Sequence, residues 1–301
     1  MSVRNSFGDD AYFLPHDDRE RDRLNFQDII LKALTNTTHH APLKAPQRIL
    51  DLGTGTGAWA EDIAKEFPDS EVIGTDICPL PSDIPDNLRF YAEDATDSNW
   101  GSKPFSFIHT RMLNGCFSDF KKIIQRSFDY LEPGGYMESM ELYPKLFCED
   151  GPVSQDNAFA DWITRQDEAA MQLGKPIRTG NKLKAWYKDC GFTDIREEVY
   201  KIPINQWPRD ARLNCLGKCW AQQLSIGLSP QSLRLFNQAY GWDHGTTEIS
   251  LVNVKKSIQD RSVHGFQKIY VVWGQKPLTA PMKLLPLDDE SDTDTISISG
   301  Q

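Results

Sequence analysis

The most informative segment is a glycine-rich turn that begins with a carboxylate. Asp51, Gly53, Gly55 and Gly57 follow a short apolar run and precede a helical pattern. Glycines at such a strand-to-helix turn let the backbone approach a nucleoside closely. The GxGxG spacing differs from the GxGxxG of dinucleotide sites, and Asp51 would repel a pyrophosphate but suits an ammonium group. The turn therefore indicates S-adenosylmethionine (SAM) as the cofactor, although it could also serve only to tighten helix against strand.

Two further carboxylates stand where the next two predicted strands end. Asp76 ends the second strand, where one carboxylate can accept both ribose hydroxyls of a nucleoside. Asp94 follows the third strand, at the sheet edge where the adenine amino group would lie. We assign Asp94 as the acceptor for that amino group, with a solvated turn residue as the alternative.

Candidate catalytic groups follow the fourth and fifth strands. Methyl transfer from a sulfonium is an in-line displacement that depends mainly on proximity and alignment, so a general base is optional. His109 is the first candidate base and Glu141 the second, because both lie at the carboxyl ends of strands. A histidine satisfied within its strand is the alternative for His109.

These residues require a sheet of alternating strands and helices. Apolar runs predict a helix over 16–34 and seven strands, over 48–52, 71–76, 88–92, 105–109, 136–140, 199–203 and 269–274. Strands separated by helices are typical of an α/β fold with a doubly wound, mostly parallel seven-stranded sheet. The organisation predicted is an N-terminal helical segment (1–45), a SAM-binding domain (46–277) and a disordered acidic tail (278–301).

Two helical segments are predicted to form a cap on this domain, over about 144–190 and 207–264. The second is too long for an ordinary connection between strands. It is also rich in aromatic residues, which suit a packed wall better than an exposed loop. We assign Trp207, Trp220 and Trp242 to the substrate pocket, because such pockets are lined mainly by apolar and aromatic groups.

Composition narrows the range of partners. A formal net charge of −10 repels phosphate backbones and anionic bilayers, which disfavours nucleic-acid and membrane binding. No apolar run reaches the length of a signal sequence or membrane span, so a cytoplasmic protein is expected. The six cysteines form neither a disulfide framework nor paired zinc knuckles, and no metal site is predicted.

The combined motifs resemble the fungal LaeA-like group of class I SAM-dependent methyltransferases. The resemblance spans residues 5–277 and is carried by DLGTGTGAW, VIGTDICPL, FIHTRML, YLEPGGYMES and VVWGQKP, with YFLP and RL near the N-terminus. It implies that the six assigned cofactor residues bind SAM and that His109 and Arg111 are residues of the substrate pocket. It further implies O- or N-methylation of a small-molecule acceptor in fungal secondary metabolism.

Two alternatives remain beside this function. One is a LaeA-like nuclear regulator of secondary-metabolite genes that acts with a regulatory protein partner. The sequence offers for it only the scattered basic pairs Lys121-Lys122 and Lys255-Lys256, and not a nuclear localisation signal. The other is a SAM-binding fold that does not transfer a methyl group.

Asp76→Ala is predicted to weaken SAM binding by about 2 kcal/mol, the upper range for a hydrogen bond to a charged group. Loss of the carboxylate leaves the ribose hydroxyls without their acceptor. Isothermal titration calorimetry on the folded variant measures the effect. Unchanged affinity would contradict the assignment of Asp76 to the ribose.

Overall fold

Seven strands form one mostly parallel sheet in the order β3-β2-β1-β4-β5-β7-β6. The computed structural model describes residues 17–78, 84–97, 99–283 and 285. The strands are β1 (Arg48–Leu52), β2 (Glu71–Asp76), β3 (Leu88–Ala92), β4 (Phe105–Arg111), β5 (Leu131–Cys148), β6 (Thr193–Pro203) and β7 (Gly265–Gln275). This arrangement confirms the predicted α/β fold class. The segment before residue 17, including YFLP, and the acidic tail from Asp288 lie outside the described residues.

Seven α-helices accompany the sheet within the described part of the chain. They are α1 (Asp18–Thr35), α2 (Ala58–Glu66), α3 (Phe120–Tyr130), α4 (Ala158–Gln172), α5 (Leu183–Asp189), α6 (Ala211–Tyr240) and α7 (His244–Gln259), with a short 3-10 turn at Gly180–Lys182 before α5. An aspartate or asparagine side chain caps the N-terminus of α1, α3, α4, α6 and α7. These caps satisfy backbone N–H groups that have no partner within the helix.

The last strands are longer than the apolar runs suggest. β5 continues beyond Met140 to Cys148, because its second half pairs antiparallel with β7 as far as Gly265. β6 begins at Thr193 and also pairs antiparallel with β7. β6 contains polar residues such as Glu197 and Lys201. A search for apolar runs therefore does not predict its full length.

Alternating residues of the central strands face two helical layers. Ile49 and Phe107 pack with Trp59 of α2, whereas Leu50 and Ile108 pack on the opposite face with α3 and α5. This alternation follows from the two-residue period of a strand and explains why both faces of the central strands carry apolar residues. α5, which the cap prediction over 144–190 included, thus packs against the sheet.

A third cluster joins the helices that lie outside these two layers. α4, α6 and α7 pack together through Phe159, Trp220, Phe236 and Leu251. α1 packs against α6, and the Arg212 guanidinium donates to the carbonyls of Ala33 and Leu34. The N-terminal helix is therefore held against the middle of the chain.

Two glycines within α6 should respond oppositely to alanine. A Cβ at Gly217 would lie 2.0 Å from the backbone oxygen of Asn205, so Gly217→Ala forces backbone apart and should destabilise the fold by about 1–3 kcal/mol. A Cβ at Gly227 would meet only the flexible end of Gln231 at 3.0 Å. Gly227→Ala should therefore stabilise the fold by up to about 1 kcal/mol through helix propensity.

Urea unfolding of the two variants beside the wild type measures this difference. Equal effects of both substitutions would show that contact with Asn205 does not constrain α6.

Candidate active site

A cavity of about 720 Å³ opens at the carboxyl ends of the central strands. One wall comes from the turns after β1, β2, β3 and β4, and α1, α4 and α6 supply the others. In open α/β sheets, ligands bind in such a crevice where the strand order reverses, here between β1 and β4. Of the predicted site residues, Asp51, Gly53, Gly55, Asp76, Asp94, Arg111 and Trp220 line this cavity.

The glycine turn after β1 is held in a shape that only glycine adopts easily. Gly53, Gly55 and Gly57 have φ values of +65°, +61° and +83°. A Cβ at Gly53 would come within 2.5 Å of the Leu113 side chain. The amide of Gly55 donates to Oδ2 of Asp76 at 2.8 Å, which ties the turn to the end of β2. The Asp76 carboxylate, which was predicted to bind the ribose, thus lies directly beside the glycine turn.

Asp51 at the end of β1 is held by two side chains. Its Oδ1 lies 2.7 Å from Nδ1 of His109, and its Oδ2 accepts from Oγ1 of Thr54 at 2.6 Å. The carboxylate is 3% exposed, yet it forms part of the cavity wall. It therefore presents a fixed negative charge to a cationic group in the cavity.

The structure does not bring His109 to the cavity wall. The imidazole is 1% exposed and stacks on the Trp59 indole, with ring centroids 3.6 Å apart. Its Nδ1 is engaged by Asp51, and no described residue lies within hydrogen-bond distance of its Nε2. His109 is thus placed to orient Asp51, behind the surface that a ligand would touch.

Glu141 also lies behind the wall, below the loop that follows β4. Its Oε1 accepts from the Leu113 amide at 2.9 Å, and its side chain is fully buried. Burial raises the pKa of Glu141 to about 8, although hydrogen bonds from the amides of Leu113 and Asn114 oppose the rise. At neutral pH this carboxyl is mostly protonated, and it supports the loop that lines the cavity.

Asp94 and Arg111 occupy opposite ends of the strand-edge wall. Oδ1 of Asp94 accepts from both the amide and the hydroxyl of Thr96, which forms a tight turn after β3. The Arg111 guanidinium donates to Oδ1 of Asp28 on α1 at 2.8 Å, and Asp28 also pairs with Lys32. The positive charge of Arg111 is therefore matched by a buried carboxylate.

The three tryptophans assigned to the pocket lie in different surroundings. Trp220 lines the cavity. The indole of Trp207 donates to the Gly265 carbonyl and packs against His264. Trp242 packs with Phe236 and Tyr240 at the far end of α6. The last two tryptophans do not line the cavity, because a helical period identifies aromatic residues without showing which of them faces a ligand.

Helix α1 also contributes to the site, which the sequence motifs did not predict. Glu20 and Arg23 form a buried bidentate ion pair, and the guanidinium also donates to Gln27. These three residues line the cavity together with Leu24 and Asp28 of the same helix. The sequence did contain a sign of this role. Glu20, Arg23, Gln27 and Asp28 are spaced so that they share one helix face with Leu24 and Leu31.

The described ranges of the chain hold no cluster of three or more His, Cys, Asp or Glu side chains that could hold a metal ion. They also hold no helix that is both long and apolar enough to cross a membrane.

The fold and the cavity define a class I nucleotide-binding enzyme whose carboxylates suit a cationic nucleoside. The methyltransferase domain family model matches residues 18–197, and the chain belongs to this family. It is a SAM-dependent methyltransferase. The observed cavity fits that cofactor, because Asp51 and Asp76 line it beside a glycine turn that leaves room for a nucleoside.

Fungal proteins are similar to the chain over most of its length. Methyltransferase pytC of Aspergillus terreus is 29% identical over 89% of this chain and 84% of its own. The secondary metabolism regulator LAE1 of Cochliobolus heterostrophus is 29% identical over 88% of this chain and 90% of its own. The protein-methionine methyltransferase laeA of Emericella nidulans is 28% identical over 89% of this chain and 73% of its own. These matches confirm the predicted LaeA-like relationship.

Glu141→Gln tests the buried carboxyl through the pH dependence of stability. The folded chain keeps the proton up to about pH 8, whereas the unfolded chain releases it near pH 4.5. Folding binds a proton between these values, so the free energy of unfolding contributed by Glu141 falls by about 1.4 kcal/mol per pH unit as pH rises. The stability of Glu141→Gln relative to wild type should therefore increase from about pH 6 to pH 8.

Glu138→Gln is the matched control, because Glu138 is equally buried on β5. Burial favours a raised pKa for Glu138, but hydrogen bonds and charge from His40 and the amide of Ala41 bring its pKa below the usual value. Glu138 itself stays ionised throughout the window, so in urea unfolding the difference between Glu138→Gln and the wild type should not follow the slope expected for Glu141→Gln. If the difference in free energy of unfolding between Glu141→Gln and the wild type did not change from about pH 6 to pH 8, the raised pKa of Glu141 would be refuted.

Proposed function

We propose that the protein methylates a small molecule held in the cavity between the strand ends and the α4–α6 wall. The division of charge around the cavity carries this proposal. Carboxylates cluster on the wall formed by the strand ends, where Asp51, Asp76 and Asp94 lie. Every lining residue from α4, α6 and β7 is uncharged. A cationic methyl donor suits the first wall, and a largely apolar acceptor suits the second.

Three carboxylates are proposed to hold the donor. Asp76 accepts the ribose hydroxyls, Asp51 attracts the ammonium of the methionine part, and Asp94 accepts from the adenine amino group. Asp51 is supported in this role by its fixed position between His109 and Thr54. SAM supplies an electrophilic methyl group when bound. The protein then contributes by aligning the acceptor with that methyl group and excluding water.

We further propose that neither His109 nor Glu141 removes the acceptor proton. Both are buried behind the cavity wall, and Nδ1 of His109 and Oε1 of Glu141 are engaged by Asp51 and Leu113. A general base must lie within hydrogen-bond reach of the proton that it takes. Proximity and orientation are therefore the main sources of rate acceleration, and O- or N-methylation remains the proposed chemistry.

A protein side chain is the alternative acceptor. The relatives named secondary metabolism regulator and protein-methionine methyltransferase motivate this possibility. Such a protein would act in the nucleus with a regulatory protein partner. The small-molecule function is proposed for the cytoplasm, without direct nucleic-acid binding. The uncharged cavity wall supports the small molecule, since pockets for such ligands are lined mainly by apolar and aromatic groups with a few polar ones.

Methyl transfer can be followed with SAM labelled at the methyl group. The purified protein is incubated with a fungal mycelial extract that has been separated into low-molecular-mass and protein fractions. Label in the low-molecular-mass fraction is expected, and Asp76→Ala should reduce it at subsaturating SAM. Incorporation only into the protein fraction would refute the proposal in favour of the regulator, and incorporation into neither would refute methyl transfer to components of such extracts.

A further inference from the structure

The uncharged wall of the cavity carries an unusual number of amides. Four glutamines line it from α4, α6 and β7, namely Gln166, Gln223, Gln231 and Gln267. Three of them are almost completely buried, namely Gln267 at 2% exposure, Gln223 at 3% and Gln166 at 8%. A buried amide that keeps an unused hydrogen-bonding group beside a cavity is suited to recognising a ligand, because leaving that group unpaired is costly.

Trp220 fixes the orientation of the Gln267 amide. The indole Nε1 donates to Oε1 of Gln267 at 2.9 Å. An indole N–H is only a donor, so the amide atom facing it must be the oxygen. The NH₂ group consequently lies on the side away from Trp220, where it makes no hydrogen bond to a described residue. Gln267 therefore offers a fixed donor to the cavity.

The amide of Gln166 on α4 is also fixed in orientation, but here the NH₂ group is engaged and the oxygen is left over. Its Nε2 donates to the backbone carbonyl of Gln231 at 3.2 Å and to Oγ of Ser232 at 3.1 Å. The carbonyl is only an acceptor, so the atom beside it must be the NH₂ group. Ser232 donates its own proton to the Leu228 carbonyl. The Oε1 atom of Gln166, which no described residue engages, therefore offers a fixed acceptor.

Two indoles line the same wall with their nitrogens already engaged. Trp162 donates to Ser232, and Trp220 donates to Gln267. Only their carbon surfaces remain for contact with a ligand. Indole faces pack well against planar rings. Among the cationic side chains that line the cavity, which also include Arg21 and Lys175, those of Arg23 and Arg111 are paired with carboxylates, so these two offer little to an anionic ligand.

We propose that the methyl acceptor is an uncharged planar aromatic molecule that bears a carbonyl oxygen and a hydroxyl group. The carbonyl accepts a hydrogen bond from Nε2 of Gln267, and the hydroxyl donates to Oε1 of Gln166. Trp220 is a positioning residue, because it acts by holding the Gln267 amide in one orientation. This inference rests on the proposed function, since it names the class of acceptor for that methyl transfer.

Binding of four bicyclic probes to the protein saturated with S-adenosylhomocysteine tests the proposal. 6-Hydroxycoumarin carries both groups, 2-naphthol lacks the carbonyl, coumarin lacks the hydroxyl, and coumarin-3-carboxylate adds a charge. Isothermal titration calorimetry gives their affinities. 6-Hydroxycoumarin is expected to bind about 3- to 10-fold more tightly than either neutral relative, which corresponds to one hydrogen bond. The carboxylate is expected to bind most weakly, because the wall offers it no countercharge.

Variants separate the two hydrogen bonds. Gln267→Met should remove the preference for 6-hydroxycoumarin over 2-naphthol, and Gln166→Met should remove the preference over coumarin. Trp220→Phe keeps an aromatic wall but frees the Gln267 amide to turn, so it should reduce the carbonyl preference only in part. Trp207→Phe is the matched control, because its indole donates to Gly265 away from the cavity, and it should leave every ratio unchanged.

Preserved affinity ratios in Gln267→Met and Gln166→Met would overturn the proposal, as would tight binding of coumarin-3-carboxylate. Failure of all four probes to bind, in protein that binds S-adenosylhomocysteine, would also overturn it. Probe binding is measured without methyl transfer, whereas the proposed function is judged from the destination of labelled methyl groups. Failure of one can therefore be distinguished from failure of the other.

Discussion

The hydrogen bond between Asp51 and His109 is the interaction on which the site depends. It requires β1 and β4 to pair in the register that places these two residues side by side. The imidazole also stacks on Trp59 of α2, and the carboxylate is held from its other side by Thr54 of the glycine turn. The strand register, α2 and the glycine turn therefore all contribute contacts to one buried carboxylate, and each of its oxygens has a hydrogen-bond partner.

Much of this arrangement follows from local sequence signals. Apolar runs and the glycine turn predict the central strands, and strand ends bring Asp51, Asp76 and Asp94 to one edge. The reach of β5 to Cys148 could not be predicted, because it depends on pairing with β7 more than a hundred residues away. The burial of His109 and Glu141 could not be predicted either. A position at a strand end places a residue at the sheet edge, but it does not show whether the side chain lines the cavity or lies beneath its wall.

The helical walls of the cavity are harder to predict than the sheet edge, because the sequence does not show which side chains of α1, α4 and α6 face the cavity. Trp207, Trp220 and Trp242 look alike in the sequence, yet only Trp220 lines the cavity. The other two meet partners of their own at Gly265 and Phe236. The polar face of α1 is the reverse case, because residues that a hydrophobicity pattern assigns to solvent are instead buried as the Glu20–Arg23 pair. Buried ion pairs of this kind require complete pairing, which only the tertiary fold supplies.

The packing of α1 against α6 has a consequence for the order in which parts of the protein fold during synthesis. The first described helix is synthesised early, but Arg212, which binds its C-terminal carbonyls, follows about 180 residues later. A contact of such sequence separation closes slowly, because a long loop must be ordered first. While α6 is still missing, a nascent chain has its glycine turn but lacks the helix that holds α1 over it. The wall that α1 contributes to the cavity can therefore be held in place only after the chain has been synthesised through α6, which ends at Tyr240.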